Sequence, residues 1–203
     1  METKFFLARH GQSEARMKNI VQGVGLKVPL TEEGRQQAGA LAQKLKDFHF
    51  DRIFSSPAKR TLETAEAVRK FHPETPLETF SGLNERSKGL AEGMDKEEFN
   101  RRFPEIIKQW RAELDARPEG GENYEDVEKR VIPLIEKHLK DYAGQTLLYV
   151  GHGNVMKVIL GWTLNIPYGL RPRIAQDYCA LDCLVFDHER KYWRIEFINQ
   201  KCF

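Results

Sequence analysis

Four short stretches carry side chains able to handle a phosphoryl group. Arg9-His10-Gly11-Gln12-Ser13 follows the apolar run Phe5-Phe6-Leu7-Ala8. Arg60 comes soon after Ser55-Ser56-Pro57, and Glu85 lies in Leu83-Asn84-Glu85-Arg86. His152-Gly153 follows the apolar run ending at Val150-Gly151. An imidazole takes a phosphoryl group covalently, dividing one hard transfer into two easier ones. It attacks only when neutral, which its ordinary pKa permits near neutral pH. An arginine fork beside it neutralises phosphate charge. Gly11 lets the backbone turn sharply and approach a ligand, and a helix starting near Gln12 would aim free N–H groups at an anion. For Arg9 and His10 taken alone, a solvated arginine and a hydrogen-bonded histidine at a strand end is an equal alternative.

The elements that must position these groups alternate between strand and helix. Lys4 to Ala8 is too short and too apolar for anything but a buried strand. Residues 12–30 form a polar connection, after which Thr31 caps a helix carrying Ala38, Leu41, Ala42 and Leu45 at helical spacing. Asp51 to Ser55 is a second strand; Ser56 as cap and Pro57 as first residue open a second helix with Leu62, Ala65 and Val68 inward. Pro76 to Phe80 is a third strand. Asn123 caps a long helix through Val127, Val131, Leu134, Ile135 and Leu139, in which Pro133 should kink or break a turn. Thr146 to Val150 is a strand, followed by a helix with Val155, Val158, Ile159 and Trp162 on one face. Strands over Cys179–Asp187 and Tyr192–Ile198 close the chain. The pattern predicts an α/β fold, a three-layer α/β/α sandwich with a mainly parallel central sheet and an antiparallel edge. Ligands of such sheets bind beyond the carboxyl ends of the strands, where Arg9, His10, Arg60 and His152 fall.

Residues 82–121 change character: charged, glycine-bearing, with helices over about Lys96–Arg102 and Pro104–Arg117. They are expected to be a helical cap-like insertion over the site within a single domain of residues 1–203. With 32 Lys+Arg against 30 Asp+Glu, the formal net charge is +2, so the global basic field of a nucleic-acid binder is missing. Cys179, Cys183 and Cys202 form no CxxC pair and no zinc spacing, which predicts free thiols in a reducing cytoplasm. Neither a signal peptide nor a membrane-length apolar run is expected. His49, His72, His138 and His188 lie in polar or loop surroundings and are expected at the surface.

Taken together and in this order, the stretches resemble the histidine phosphatase superfamily, phosphoglycerate mutase-like branch. The resemblance runs nearly end to end through Arg9-His10-Gly11-Gln12-Ser13, Pro29-Leu30-Thr31 with Gly34 and Gln37-Ala38, Ser55-Ser56-Pro57 with Arg60, Leu83-Asn84-Glu85-Arg86, Gly120-Gly121-Glu122 and Val150-Gly151-His152-Gly153. It implies that His10 is the phosphoacceptor, that Arg9, Arg60 and His152 grip phosphoryl oxygens, and that Glu85 protonates the leaving alcohol. It further implies substrate contacts from Gln12, Ser13, Arg16, Gln22, Gly23, Lys96, Arg111 and Gly153, with no metal and no cofactor. Arg16 departs from the family, many of whose members have asparagine there. Two arginines would repel a cation, which counts against a metal held by His10, His152 and Glu85.

The same core either hydrolyses phosphate esters or moves phosphate between hydroxyls. The mutases of the family carry two adjacent arginines after a tryptophan; here Trp110 is followed by Arg111 and Ala112. They carry tyrosine after the Asn-Glu-Arg run, where Ser87-Lys88 stands, and they have longer insertions and a C-terminal tail. A mutase must exclude water and a phosphatase admit it. The expectation is a metal-independent phosphatase, a phosphoric monoester hydrolase acting on small phosphorylated metabolites, monomeric or homodimeric, with no nucleic-acid or membrane partner. The alternatives are phosphoglycerate mutase-type transfer, a catalytically silent binder of a phosphorylated ligand, and a protein phosphohistidine or phosphotyrosine phosphatase.

Overall fold

The computed structural model describes residues 1–25 and 27–202. Its centre is a six-stranded sheet of order β3-β2-β4-β1-β5-β6. The strands are β1 (Glu2–Arg9), β2 (Arg52–Ser55), β3 (Leu77–Thr79), β4 (Thr146–Gly151), β5 (Leu181–Asp187) and β6 (Tyr192–Gln200). β3, β2, β4 and β1 run parallel, while β5 is antiparallel to β1 and β6 to β5. β5 and β6 together form the expected antiparallel edge.

Both faces of the sheet are covered, because β1 alternates between two cores. Phe5 and Leu7 pack with residues of α6 (Tyr124–Asp141) and α7 (Gly153–Thr163), while Phe6 and Ala8 pack with α2 (Glu32–Leu45) and α3 (Lys59–Arg69). Helices on both faces of a largely parallel sheet make the three-layer α/β/α sandwich. α1 (Glu14–Met17) is one turn inside the 12–30 connection. Thr31 caps α2 by accepting from the Gly34 N–H, and Asn123 and Asp126 form a reciprocal capping box on α6. α6 continues through Pro133, so the helix is not broken there.

Between β3 and α6 lie α4 (Lys96–Arg102) and α5 (Pro104–Arg111). Phe99, Ala91 and Val21 form a small separate core with Ile106, Ile107 and Trp110 around it. α5 ends six residues before Arg117: Glu113 takes a left-handed φ of 60°, and the Trp110 Nε1–H donates to the Ala116 carbonyl, 2.9 Å away. α3 begins at Lys59 rather than Pro57, and the Ser56 hydroxyl is engaged in the site described below. Among the described residues no helix is long and apolar enough to cross a membrane.

Two histidines expected at the surface are buried. His138 stacks on Phe54 at 4.2 Å between ring centroids, and its Nδ1 lies 2.8 Å from the Tyr149 hydroxyl. Burial holds it down to about 4, so it packs as a neutral ring. His72 is buried against Phe50 and donates through Nε2 to the Leu45 carbonyl. His188 is half-buried on Thr3, and His49 is exposed beside Asp51.

Candidate active site

The register of the parallel strands assembles the site. β1 and β4 pair so that Arg9 lies opposite Gly151, and β2 and β4 so that Ser55 lies opposite Val150. The residues that follow, His10, His152 and Ser56, are thereby brought together beyond the carboxyl edge of the sheet. The His10 N–H donates to Gly151 O (3.0 Å) and the Ser56 N–H to Val150 O (3.2 Å), extending the ladder by one residue on each side. The His10 and His152 rings stand 5.2 Å apart and nearly edge to face.

Each ring has its tautomer set by a neighbour. His10 Nδ1 is 2.6 Å from the Gly11 carbonyl oxygen, which only accepts. The proton therefore sits on Nδ1 and the lone pair on Nε2. Burial, then the charges of Arg9 and Arg60, hold the His10 pKa well below the usual imidazole value, so the ring is neutral at neutral pH. His152 Nδ1 lies 3.2 Å from Arg60 Nη2, which only donates, so the His152 proton is on Nε2 and donates to Ser56 Oγ at 2.9 Å. Burial, Arg60, His10 and Arg9 likewise hold His152 neutral. Ser56 passes the chain on to Asn84 Oδ1 at 3.3 Å.

Arg60 is fully buried in the first turn of α3. Its Nη1 donates to Gly25 O and its Nη2 to Gly23 O and His152 Nδ1. The Gln22 amide, oriented to satisfy both neighbours, donates to Ser13 Oγ and accepts from Arg60 Nε and Nη1. Every N–H of Arg60 thus meets a protein acceptor. Arg60 was expected to grip phosphoryl oxygens; in this arrangement it contributes charge to the site and braces Gln22, Gly23 and His152. Arg9 is placed differently. Its guanidinium lies over the Tyr178 ring at 4.1 Å and donates to the Gln176 carbonyl, while its Nε is buried without a partner. Gln176 is held through its amide by buried Asp182.

A cavity of about 610 Å³ opens over His10. Arg9, Arg16, Gln22, Glu85, Lys88 and Lys96 are among its lining residues. Glu85 is 9% exposed and accepts from the Arg86 N–H through Oε1. Lys88 also lines the cavity; burial and the Arg86 charge push it down to about 7. Burial and the charge of Arg16, which lines the same cavity, also lower Lys96. Gly153, at the first position of α7, lies against Arg9: a Cβ there would stand 3.4 Å from its Nε.

Gln12, Ser13, Gly23, Arg60, Arg111, His152 and Gly153 are not among the residues lining the cavity. Gln12 faces α2: its N–H donates to Gln37 Oε1 and its Oε1 accepts from the Thr31 hydroxyl, tying the β1–α1 connection to the helix cap. Arg111 is exposed on the last turn of α5 and does not line the cavity. Ser13 is buried and acts through Gln22, and Gly23 through its carbonyl on Arg60. Residues that sequence reasoning did not single out here are Ser56, Asn154, Asp177 and Tyr178. Ser56 had a signal: it stands two residues after the buried Phe54, at the end of a strand. Asn154 follows His152-Gly153 directly. Asp177 and Tyr178 lie in an irregular segment with no motif of their own. Among the described residues no group of three or more His, Cys, Asp or Glu side chains is placed to hold a metal ion.

Residues 5–201 match the histidine phosphatase superfamily (branch 1). A 2,3-bisphosphoglycerate-dependent phosphoglycerate mutase of Bartonella henselae is 34% identical over 168 residues, covering 79% of this chain and 81% of the relative. Among solved structures, Bacillus stearothermophilus YhfR superposes with a TM-score of 0.89 at 26% identity, over 98% of this chain and 97% of the other. A mutant phosphoserine phosphatase from Entamoeba histolytica, in complex with phosphoserine, gives a TM-score of 0.84 at 26% identity over 98% of each chain.

Proposed function

The chain belongs to the histidine phosphatase superfamily, branch 1, and from that membership we propose that it hydrolyses small phosphomonoesters through a phosphohistidine on His10. The observation that carries this is the His10 ring itself. Its Nδ1–H is tied to the Gly11 carbonyl, so a neutral Nε2 lone pair is left over in a cavity bordered by cations. In the first step Nε2 attacks phosphorus, the P–O bond to the alcohol breaks, and Glu85 supplies the proton the departing oxygen takes up. In the second, water attacks the phosphohistidine, its proton returns to Glu85, and the P–N bond breaks to release phosphate. Phosphoryl transfer asks mostly for positioning and charge stabilisation. Arg9 would supply hydrogen bonds and charge, Arg60 charge and bracing, and the first turn of α7 its positive end. This set of fixed cations makes a metal ion unnecessary for charge neutralisation.

The competing reading is transfer of phosphate between hydroxyls, as the name of the Bartonella relative suggests. Hydrolysis is favoured because the arginine after Trp110, the surviving half of the family's distal clamp, is exposed and off the cavity. The phosphoserine phosphatase of the same fold supports a small-molecule substrate. The deciding experiment is turnover of p-nitrophenyl phosphate in excess EDTA by wild type and His10→Ala. Activity abolished by the substitution is expected; equal activity in both proteins refutes the phosphohistidine, and activity lost with EDTA refutes the metal-free reaction. Conversion of 3-phosphoglycerate to 2-phosphoglycerate outpacing phosphate release would establish the mutase instead.

A further inference from the structure

β5 carries a carboxyl where the core of the sheet calls for an apolar side chain. Asp182 interrupts the run Leu181-Asp182-Cys183-Leu184-Val185, pairs opposite Leu7 of β1 and is fully buried. Its hydrogen-bond partners are neutral donors. Oδ1 accepts from the Asn199 N–H (2.8 Å) and the Gln176 side-chain amide (2.9 Å), and Oδ2 accepts from the same amide (3.1 Å). An apolar side chain of similar size would fill the place without the cost of desolvating a carboxyl, so packing alone does not account for it.

Both donors lead to one irregular segment, residues 176–180, just before β5. No strand ladder fixes its course, and Cys179 within it takes a left-handed φ of 50°. Side chains set its shape instead. Asp182 anchors Gln176 directly. Asn199, at a left-handed φ of 54°, accepts the Asp177 N–H through Oδ1 (2.7 Å) and donates through Nδ2 to Asp177 Oδ2 (3.2 Å). The segment is thus tied to Asp182 twice, once by Gln176 and once through Asn199 and Asp177.

What the segment in turn holds is Arg9. The Gln176 carbonyl accepts from Arg9 Nη1, and the Tyr178 ring lies under the guanidinium at 4.1 Å. Along the backbone, the Cys179 N–H donates to Arg9 O (3.1 Å) and the Arg9 N–H to Ala180 O (3.3 Å). A carbonyl and a ring face orient a guanidinium without neutralising it. A carboxylate bonded to Arg9 would aim it as well and would offset the charge needed for an anion at His10. Asp182 does not line the cavity and acts one side chain removed.

We propose that Asp182 is a positioning residue for the reaction: through Gln176 and Asn199 it fixes residues 176–180, and through them the direction of the Arg9 guanidinium toward the phosphoryl group on His10. This rests on the phosphomonoester reading above.

The test compares Asp182→Leu, which fills the space and offers no acceptor, with Asp182→Asn, whose Oδ1 can still take the Asn199 N–H and the Gln176 amide. The readout is kcat/KM for p-nitrophenyl phosphate, in the wild-type and Arg9→Gln backgrounds, beside urea unfolding. Asp182→Leu should lower it at least about tenfold, as small misplacements in a reacting site do. Asp182→Asn should bring it back to within about threefold of wild type, because the hydrogen bonds persist. Beside Arg9→Gln, the leucine substitution should cost less than about twofold more, since changes acting through one group do not add. A merely structural carboxyl would instead give losses that follow stability and multiply with the loss of Arg9. Unchanged activity in Asp182→Leu, no recovery in Asp182→Asn, or a full further loss beside Arg9→Gln overturns the proposal. Should Asp182→Leu fail to fold, Gln176→Ala cuts the same tether and carries the same expectations in both backgrounds. If wild type turns over no ester, the hydrolase reading fails, and calorimetric titration with inorganic phosphate judges the positioning. Weaker binding in Asp182→Leu, with no further weakening beside Arg9→Gln, supports it; binding absent from wild type, or equal in wild type and Asp182→Leu, refutes it.

Discussion

Ser56→Ala removes a hydroxyl that touches no substrate, yet it should cost both stability and turnover. Ser56 and His152 are both fully buried, and Ser56 Oγ is the acceptor, at 2.9 Å, for the proton on His152 Nε2. Because Arg60 only donates to Nδ1, His152 cannot move its proton to the other nitrogen without setting N–H against N–H. The substitution therefore strands a buried imidazole N–H, worth about 1–3 kcal/mol. The longer contacts to Asn84 Oδ1 and from the Ala58 N–H, both 3.3 Å, add little more. A loss of about 2 kcal/mol corresponds to a drop in Tm of roughly 4–8 °C for a chain of this size. A ring freed to turn also shifts Arg60 and the face of His10, and small misplacements in a reacting site cost up to about a hundredfold. Urea unfolding and steady-state hydrolysis of p-nitrophenyl phosphate read the two effects, and kcat should fall at least about tenfold. A variant within about 0.5 kcal/mol of wild type in stability, with kcat unchanged, would refute the assigned tautomers and the relay through Ser56.

Glu85→Gln should slow esters of poorly leaving alcohols far more than p-nitrophenyl phosphate, whose phenolate leaves unaided; equal slowing of both would remove Glu85 as the acid. Arg9→Gln should raise the His10 pKa, because the Arg9 charge is among the causes holding it down, and so move the acid limb of kcat/KM upward; a limb that stays in place would assign it to another group. Burial pushes Asp182 up to about 6, above its unfolded value of 3.8. The folded state then binds the extra proton, so this carboxyl makes stability fall as pH rises from about 4 to 6. Asp182→Asn should flatten that slope by about 2–3 kcal/mol across the window, measured by urea midpoints at several pH values; an unchanged slope would show that Asp182 titrates normally.

How far the sequence could be read follows from where the physics is local. β1 and β4 were legible because a parallel strand buried on both faces has to be continuously apolar. The α6 terminus was legible because Asn123 and Asp126 state their capping box three residues apart. The strand-end placement of His10 and His152 followed from the same runs. Three residues sit away from where local sequence suggests, and they share one cause, a partner distant in sequence or a turn set by tertiary contacts. Ser56 reads as a helix cap until β2 and β4 pair and deliver His152 to it. Gln12 reads as a pocket residue until α2 folds back and takes both its N–H and its side chain. Arg111 follows Trp110, as the family's clamp would have it, but the left-handed turn at Glu113 ends α5 with that side chain outward. His138 was recoverable: it lies seven residues after Val131 and three after Ile135, the spacing of the buried face of α6.

What the site can do lies in the atoms its own network leaves over. Gly11 takes one nitrogen of His10; Arg60 and Ser56 take both of His152. Every N–H of Arg60 meets Gly23, Gly25, Gln22 or His152. Ser13 is held by Gln22. At the end of β1, two positions stay unfilled among the described residues: the lone pair of His10 Nε2 and the Nε–H of Arg9, which is buried without a partner. One is a nucleophile and the other a donor to an anion, and they come from adjacent residues at the end of β1. A tetrahedral phosphoryl group seated there would complete both at once. In the proposed reaction, burial and the arginine charges thus keep the two histidines neutral and hydrogen bonds among protein atoms fix their tautomers, while the charge that stabilises the transferring group comes from arginines. The division explains why two imidazoles can lie 5.2 Å apart beside two guanidinium groups without mutual repulsion: neither ring is an imidazolium.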